Sequence, residues 1–155
     1  MKFAHWILTA VVGLFLVAFG ALKFTDGAHI FPLIEYKASA IGAPFAELVY
    51  PQLNYVVGAT EILAGLLTLL PFTRRFGASF AVLPFVGAAA FHLSPLLGVT
   101  TPVGYAGGTP PVALPNGGPF AASDFAAETT PVLFALAAGM LVLSLINASL
   151  ARRFA

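Results

Sequence analysis

Apolar residues fall into four long runs along the chain, and polar residues, prolines and glycines collect between them. Each run has about 18–22 residues, and a helix of that length at a rise of about 1.5 Å per residue matches the ~30 Å hydrocarbon layer of a bilayer. The strands of a membrane barrel would instead alternate in polarity and be about half as long. The pattern therefore predicts an all-α fold, a bundle of four transmembrane helices over residues 3–23, 55–72, 76–97 and 131–150.

Two long loops remain, residues 24–54 and 98–130, and they lie on the same side of the predicted bundle. The first mixes apolar and polar residues and is interrupted by Pro32 and Pro44, which predicts short amphipathic segments on the membrane surface. The second is rich in proline and glycine, so turns and extended chain are expected. Such a loop is either a functional cover or a tether, and the sequence leaves both open. Residues 1–155 are predicted to form a single membrane domain.

Composition supports a membrane protein and removes several classes of function. The chain is 59% hydrophobic and 8% charged, whereas soluble domains average about 25% charged residues. The net charge is +1, so no basic face for nucleic acid is predicted. The chain has no cysteine, which excludes disulfides, thiol redox chemistry and thiolate metal sites within it.

The basic residues predict which side of the membrane each loop faces. Five of the seven lie at the N-terminus, between the second and third runs, and at the C-terminus, which share one side of a four-span bundle: Lys2, Arg74, Arg75, Arg152 and Arg153. Lys23 and Lys37 fall on the other side. The positive-inside rule therefore places both termini in the cytoplasm and both long loops outside. The first run also resembles a signal peptide, but it is longer than a typical apolar core of one, which favours a retained helix.

Three polar residues lie at membrane depth. A carboxylate there is costly, so Glu61 is expected to face the bundle interior with a partner. Measured from the cytoplasmic edge at about 1.5 Å per residue, Glu61 lies roughly 20 Å deep, His92 roughly 25 Å and Lys23 roughly 31 Å. All three fall in the outer half, which predicts an outward-facing polar pocket for a ligand or a proton. Asp26 and Glu128 are candidates for its rim, and the second long loop would cover it.

Each of these residues also has an ordinary structural explanation. Lys23 can anchor the first helix at the interface, Glu61 can bond between helices, and His92 can be satisfied within the bundle. His5 lies near the cytoplasmic end of the first helix, too far in depth from His92 for the two to hold one haem. The sequence contains no recognised haem, metal or nucleotide motif, so no metal site is predicted.

Short motifs give the chain a family resemblance. They are Phe19-Gly20-Ala21-Leu22-Lys23-Phe24, Gly58-Ala59-Thr60-Glu61-Ile62-Leu63-Ala64-Gly65, Pro71-Phe72-Thr73-Arg74-Arg75-Phe76-Gly77 and Phe91-His92-Leu93. With these segments the chain resembles the DoxX-like (YkgB-related) four-helix inner-membrane proteins, well over residues 3–97 and loosely in the fourth helix. The second long loop has no counterpart in the resemblance.

The resemblance implies a four-helix protein of the bacterial inner membrane. Members of that family include the small subunit of a thiosulfate:quinone oxidoreductase, and others act in oxidative-stress defence beside redox proteins. Lys23 and Glu61 carry over, and His92 less closely. The expected function is that of a subunit or partner in quinone-linked redox or oxidative-stress chemistry, with quinone as the candidate ligand. Catalytic residues are not assigned, and whether the chain is an enzyme at all is left open.

Two other functions are compatible with the residues. One is a non-catalytic accessory subunit packed against a larger membrane complex, in which Lys23 and Glu61 form only a structural pair. The other is a proton-coupled carrier of small molecules, which four helices without evident inverted repeats favour less. The sequence does not decide between a homo-oligomer and an assembly with another membrane or redox subunit.

Overall fold

The computed structural model describes residues 2–25, 28–108 and 120–154. Over these residues it is mostly helical. The helices are α1 (Lys2–Leu22), α2 (Ile30–Ala40), α3 (Ala46–Leu48), α4 (Asn54–Leu69), α5 (Arg74–Phe80), α6 (Val82–Leu93) and α7 (Val132–Phe154). A π-helical turn, Val49–Leu53, leads into α4, and short 3₁₀ turns lie at Ala106–Gly108 and Ala122–Asp124. Two strands, β1 (Thr101–Pro102) and β2 (Thr129–Thr130), pair antiparallel.

Three helical stretches in the described residues are long and apolar enough to cross a membrane. They are Phe3–Leu22, Arg74–Leu93 and Val132–Arg153. This indicates a multi-pass membrane protein. The second predicted span, residues 55–72, is α4, which has 16 residues and rises about 24 Å. It is shorter than predicted because Leu70 adopts extended backbone ahead of Pro71, and a residue before proline avoids the α conformation.

Prolines also shape the third predicted span. Pro84 has no N–H to donate to the carbonyl of Phe80, and the helix is interrupted at Ala81, between α5 and α6. The sequence predicted that this helix continues to residue 97. It ends instead at Leu93, because Ser94 is extended (φ −88°, ψ 159°) before Pro95.

Glycines bring α1 and α4 into close backbone contact. A Cβ added at Gly20 would lie 2.7 Å from the carbonyl oxygen of Gly58, and one added at Gly65 would lie 2.6 Å from that of Gly13. Only glycine allows such an approach without displacing the neighbouring backbone. The two helices therefore pack side by side, and Lys23, just after α1, lies beside α4.

Helix α2, within the first long loop, is buried where a surface position was expected. Phe31, Leu33 and Ile34 of α2 are at most 7% exposed, and they pack in one cluster with Tyr105 and Phe125 of the second long loop. A helix buried on several faces is a core helix, not an amphipathic one on a membrane surface. Helix α2 therefore lies between the bundle and the second loop.

The bundle thus has two ends, which take their names from the predicted orientation. The outer end holds α2 and the β1–β2 pair. The inner end holds the α4–α5 turn, the start of α1 and the last turns of α7. The guanidinium of Arg74 lies 3.6 Å from the ring centroid of Trp6, and Ala78 packs with Ala148 and Ala151, which brings these three segments together.

Candidate functional site

An ion pair joins α1 to α4 near the outer end. Nζ of Lys23 donates to Oε2 of Glu61 at 2.6 Å and, more weakly, to the carbonyl of Phe19 at 3.4 Å. The two charged side chains are only 15% and 10% exposed. The close approach at Gly20 and Gly58 places the two charges within reach, since a Cβ added at Gly58 would lie 3.0 Å from Cβ of Lys23. A pair so far removed from water is stable only while both partners are present.

Asn54 fixes the end of α1 against the start of α4. Its Nδ2 donates to the carbonyl of Lys23 at 2.7 Å, which satisfies one of the acceptors that a helix leaves open at its C-terminus. Its Oδ1 is buried and has no hydrogen-bond partner among the described residues. This residue was not predicted from the sequence. An amide at the start of an apolar run was the available signal, and it is also typical of an ordinary helix start.

His92 lies in the last turn of α6 and is 5% exposed. Its Nδ1 is 2.9 Å from the carbonyl oxygen of Gly98, just beyond the end of the helix. A carbonyl can only accept, so Nδ1 must carry the proton of this hydrogen bond. In the neutral imidazole, Nε2 is then left as an acceptor. The Phe134 ring of α7, at 5.9 Å between centroids, packs against the imidazole.

These residues line one cavity of about 550 Å³ between α1, α2, α4, α6 and α7. Its walls are mainly aliphatic and aromatic, and its polar lining includes Lys23, His29, Asn54, Glu61 and His92. The volume is in the range of small-molecule sites, about 300–1,000 Å³. The structure therefore brings the three predicted pocket residues to a single, predominantly apolar cavity.

Hydrogen bonds hold the described part of the second long loop against the segment that precedes α2. Nε2 of His29 lies 3.0 Å from the carbonyl oxygen of Pro102 on β1, and the hydroxyl of Tyr105 donates to the carbonyl of Ala28 at 3.2 Å. The loop thus binds the segment that leads into α2, which itself lines the cavity. None of the described residues of this loop lines the cavity itself, so the choice between a functional cover and a tether stays a prediction. Residues 109–119 lie outside the described residues.

The two rim candidates fare differently from the pocket residues. Glu128 is exposed and does not line the cavity. It contributes through its backbone instead, because its carbonyl accepts from the N–H of Val103 next to the β1–β2 pair. The structure therefore does not bring Glu128 into the site. Asp26 lies outside the described residues.

No family model, curated protein or solved structure matches this chain. The resemblance to DoxX-like proteins therefore stays a prediction carried by the short motifs. Within the described residues, no group of three or more histidine, cysteine, aspartate or glutamate side chains is placed to hold a metal ion.

Proposed function

We propose that the chain is a DoxX-like protein of the bacterial inner membrane whose outer cavity binds a quinone or its quinol, as the membrane partner of a redox enzyme. The observation that carries this proposal is the combination of one largely apolar cavity of about 550 Å³ with an ion pair and a histidine in its wall. Apolar walls suit a ring and its isoprenoid tail, and a few convergent polar groups suit an oxygen-bearing head.

The polar groups favour a head that can both donate and accept. The ammonium of Lys23 can donate to a quinone oxygen, while Nε2 of His92 can accept from a quinol hydroxyl. Oxidation of a quinol to the quinone releases two electrons and two protons. His92 and Glu61 are the proposed proton acceptors, and the electrons pass to a redox centre of the partner protein. A partner is proposed because the sequence contains no recognised motif for such a centre.

Binding to nanodiscs tests the proposal. A short-chain quinol should bind the purified protein saturably, beyond its partition into empty nanodiscs. Because each substitution removes a group proposed to accept a proton from the quinol head, Glu61→Gln and His92→Phe should each raise the Kd at least about tenfold, or about 1.4 kcal/mol. Leu145→Phe, on the exposed face of α7, is the matched control and should bind as the wild type. Equal binding by all four proteins would favour an accessory role for the chain.

We also propose that α4 is the fourth span, so that both termini lie in the cytoplasm. It packs along α1 through two glycine contacts, and its Glu61, the ion-pair partner of Lys23, is buried in the bundle. Because the chain has no cysteine, a single introduced cysteine is the only thiol of this protein that a maleimide can label. In intact cells an impermeant maleimide should label Ser39→Cys but not Phe72→Cys or Arg152→Cys. Labelling of Phe72→Cys together with Ser39→Cys would mean that α4 does not cross.

A further inference from the structure

A buried guanidinium lies at the inner end of the bundle, opposite the cavity. Arg74 is the first residue of α5 and is 7% exposed. Its Nε and Nη2 are buried, and neither has a hydrogen-bond partner among the described residues. The neighbouring Arg75 is exposed, so the two adjacent arginines differ sharply in environment.

The residues around Arg74 compensate its charge only in part. The Trp6 ring lies against the guanidinium at 3.6 Å, but a ring face offers no acceptor to N–H groups that point out in the guanidinium plane. An arginine side chain also cannot discharge itself by losing its proton. The positive charge therefore calls for an anion.

The described chain supplies no anion at this end. Its ion pair is Lys23–Glu61, and Glu61 lies eight residues before the inner end of α4 at Leu69, about 12 Å at helical rise. The other five acidic residues belong to the two long loops of the outer end: Asp26, Glu35, Glu47, Asp124 and Glu128. Exposed arginines at the inner end, Arg75, Arg152 and Arg153, add positive charge that attracts anions.

We infer that Arg74 binds a phosphate group at the inner end, supplied by an anionic phospholipid headgroup or by free phosphate. The planar guanidinium offers paired N–H donors that match the oxygens of a phosphate. In the proposed topology this end lies at the cytoplasmic headgroups, and Trp6, at 51% exposure, is a residue type enriched at that level. The site rests on the charge and burial of Arg74, not on the outer cavity or its ligand.

Three nanodisc preparations of the full chain test the inference. One contains phosphatidylcholine alone, the second adds phosphatidylglycerol, and the third is the first with inorganic phosphate in the buffer. Native mass spectrometry counts retained phosphatidylglycerol, and thermal unfolding measures its effect on stability. Wild-type protein should retain phosphatidylglycerol and unfold at a higher temperature with it. A similar rise with inorganic phosphate would assign the site to the free anion, and a rise with phosphatidylglycerol alone to the lipid.

Variants separate a built site from general attraction to basic residues. Arg74→Gln should lose most of the preference for the anion, about tenfold or more, whereas Arg75→Gln should keep it. If Arg74→Gln does not fold, Arg74→Lys carries the test, because it keeps the charge but not the paired donors and should still lose the preference. Equal losses in the Arg74 and Arg75 variants, or a wild type indifferent to both anions, would overturn the inference. Quinol binding at the outer cavity should be unchanged in Arg75→Gln throughout.

Discussion

The Lys23–Glu61 pair gives the sharpest prediction, because a double-mutant cycle separates its structural role from its proposed role in binding. Lys23→Met leaves a carboxylate that is only 10% exposed without its partner. Breaking a buried pair by removing one partner costs about 3–5 kcal/mol in proteins. Replacing both partners by apolar residues of similar volume is often neutral or stabilising by about 1–4 kcal/mol. The double variant Lys23→Met/Glu61→Leu should therefore be far more stable than Lys23→Met.

The coupling energy between Lys23 and Glu61 should exceed that of an interhelical hydrogen bond and stay below the full cost of breaking a buried ion pair. Interhelical hydrogen bonds in membranes couple by about 0.6 kcal/mol on average and about 1.7 kcal/mol at most. The Lys23–Glu61 contact leaves an unpaired charge when broken, so it should exceed that maximum. The lysine that remains in Glu61→Leu can extend its flexible stem toward water, which lowers the cost of that single variant. Together these effects predict a coupling of about 2–4 kcal/mol.

Unfolding in mixed micelles measures the four free energies. The chain has one tryptophan, Trp6, at the opposite end of the bundle, so its fluorescence reports unfolding without responding directly to the substitutions. Lys37→Met removes the same charge from the same end and is the control. Free energies that add to within about 0.5 kcal/mol would show that the two side chains are not coupled, because that is how independent sites behave. A stable double variant that no longer binds quinol would show that the pair serves binding as well as folding.

Two further predictions concern packing and pH. A Cβ at Gly77 would overlap the carbonyl carbon of Leu67, so Gly77→Ala should lower the free energy of unfolding by about 1–3 kcal/mol. Gly87→Ala, which meets no atom within 4 Å, should be neutral or stabilising, and equal effects would contradict the packing described. Burial, and secondarily the charge of Glu47, raise the pKa of Glu35 above its ordinary value of 4.5. The folded state then holds this proton more tightly, so stability should fall as pH rises above 4.5. In unfolding titrations between pH 4 and 8, Glu35→Gln should remove the part of this decrease in the free energy of unfolding that comes from Glu35. If the free energies of unfolding of wild type and variant differ by the same amount at every pH, Glu35 does not contribute in this way.

The helical framework could be predicted from the sequence, but the faces of the helices could not. Phe3 and Leu16 are both apolar residues of α1, yet the first is 78% exposed and the second 1%. Lipid is as apolar as a protein core, so residues facing either environment look alike in the sequence. Prolines account for the interruption ahead of Pro84, because that residue has no N–H to donate. Their effect on helix ends was underestimated at Pro71 and Pro95.

The residues of the candidate site could be predicted from their depth along the helices. Helical rise alone placed Lys23, Glu61 and His92 in the same half of the bundle. The direction in which each side chain points depends on helix rotation, which the glycine contacts of α1 and α4 set only in three dimensions. The contribution of Asn54 was missed for the same reason, since its partner is the backbone carbonyl of Lys23, 31 residues away.

The contact between the second long loop and α2 could not be derived from periodicity. The strands of this loop have two residues each, β1 pairing Thr101 with Thr130, which is far too short for an alternating pattern to be recognised. The burial of α2 depends on this pairing, because Tyr105 and Phe125 of the second long loop complete the cluster around it. The sequence of α2 alone does not indicate that residues of a distant loop will bury it.

Whether the outer cavity holds a quinone in the cell can be read from native mass spectrometry of the protein, extracted from its own membrane in mild detergent. The wild-type chain, alone or with a redox partner, should retain a small molecule of quinone or quinol mass. His92→Phe, extracted in the same way, should lose that molecule while keeping its lipids. A wild-type protein that carries only phospholipid, in the same amount as the variant, would contradict the proposal that the outer cavity is a binding site.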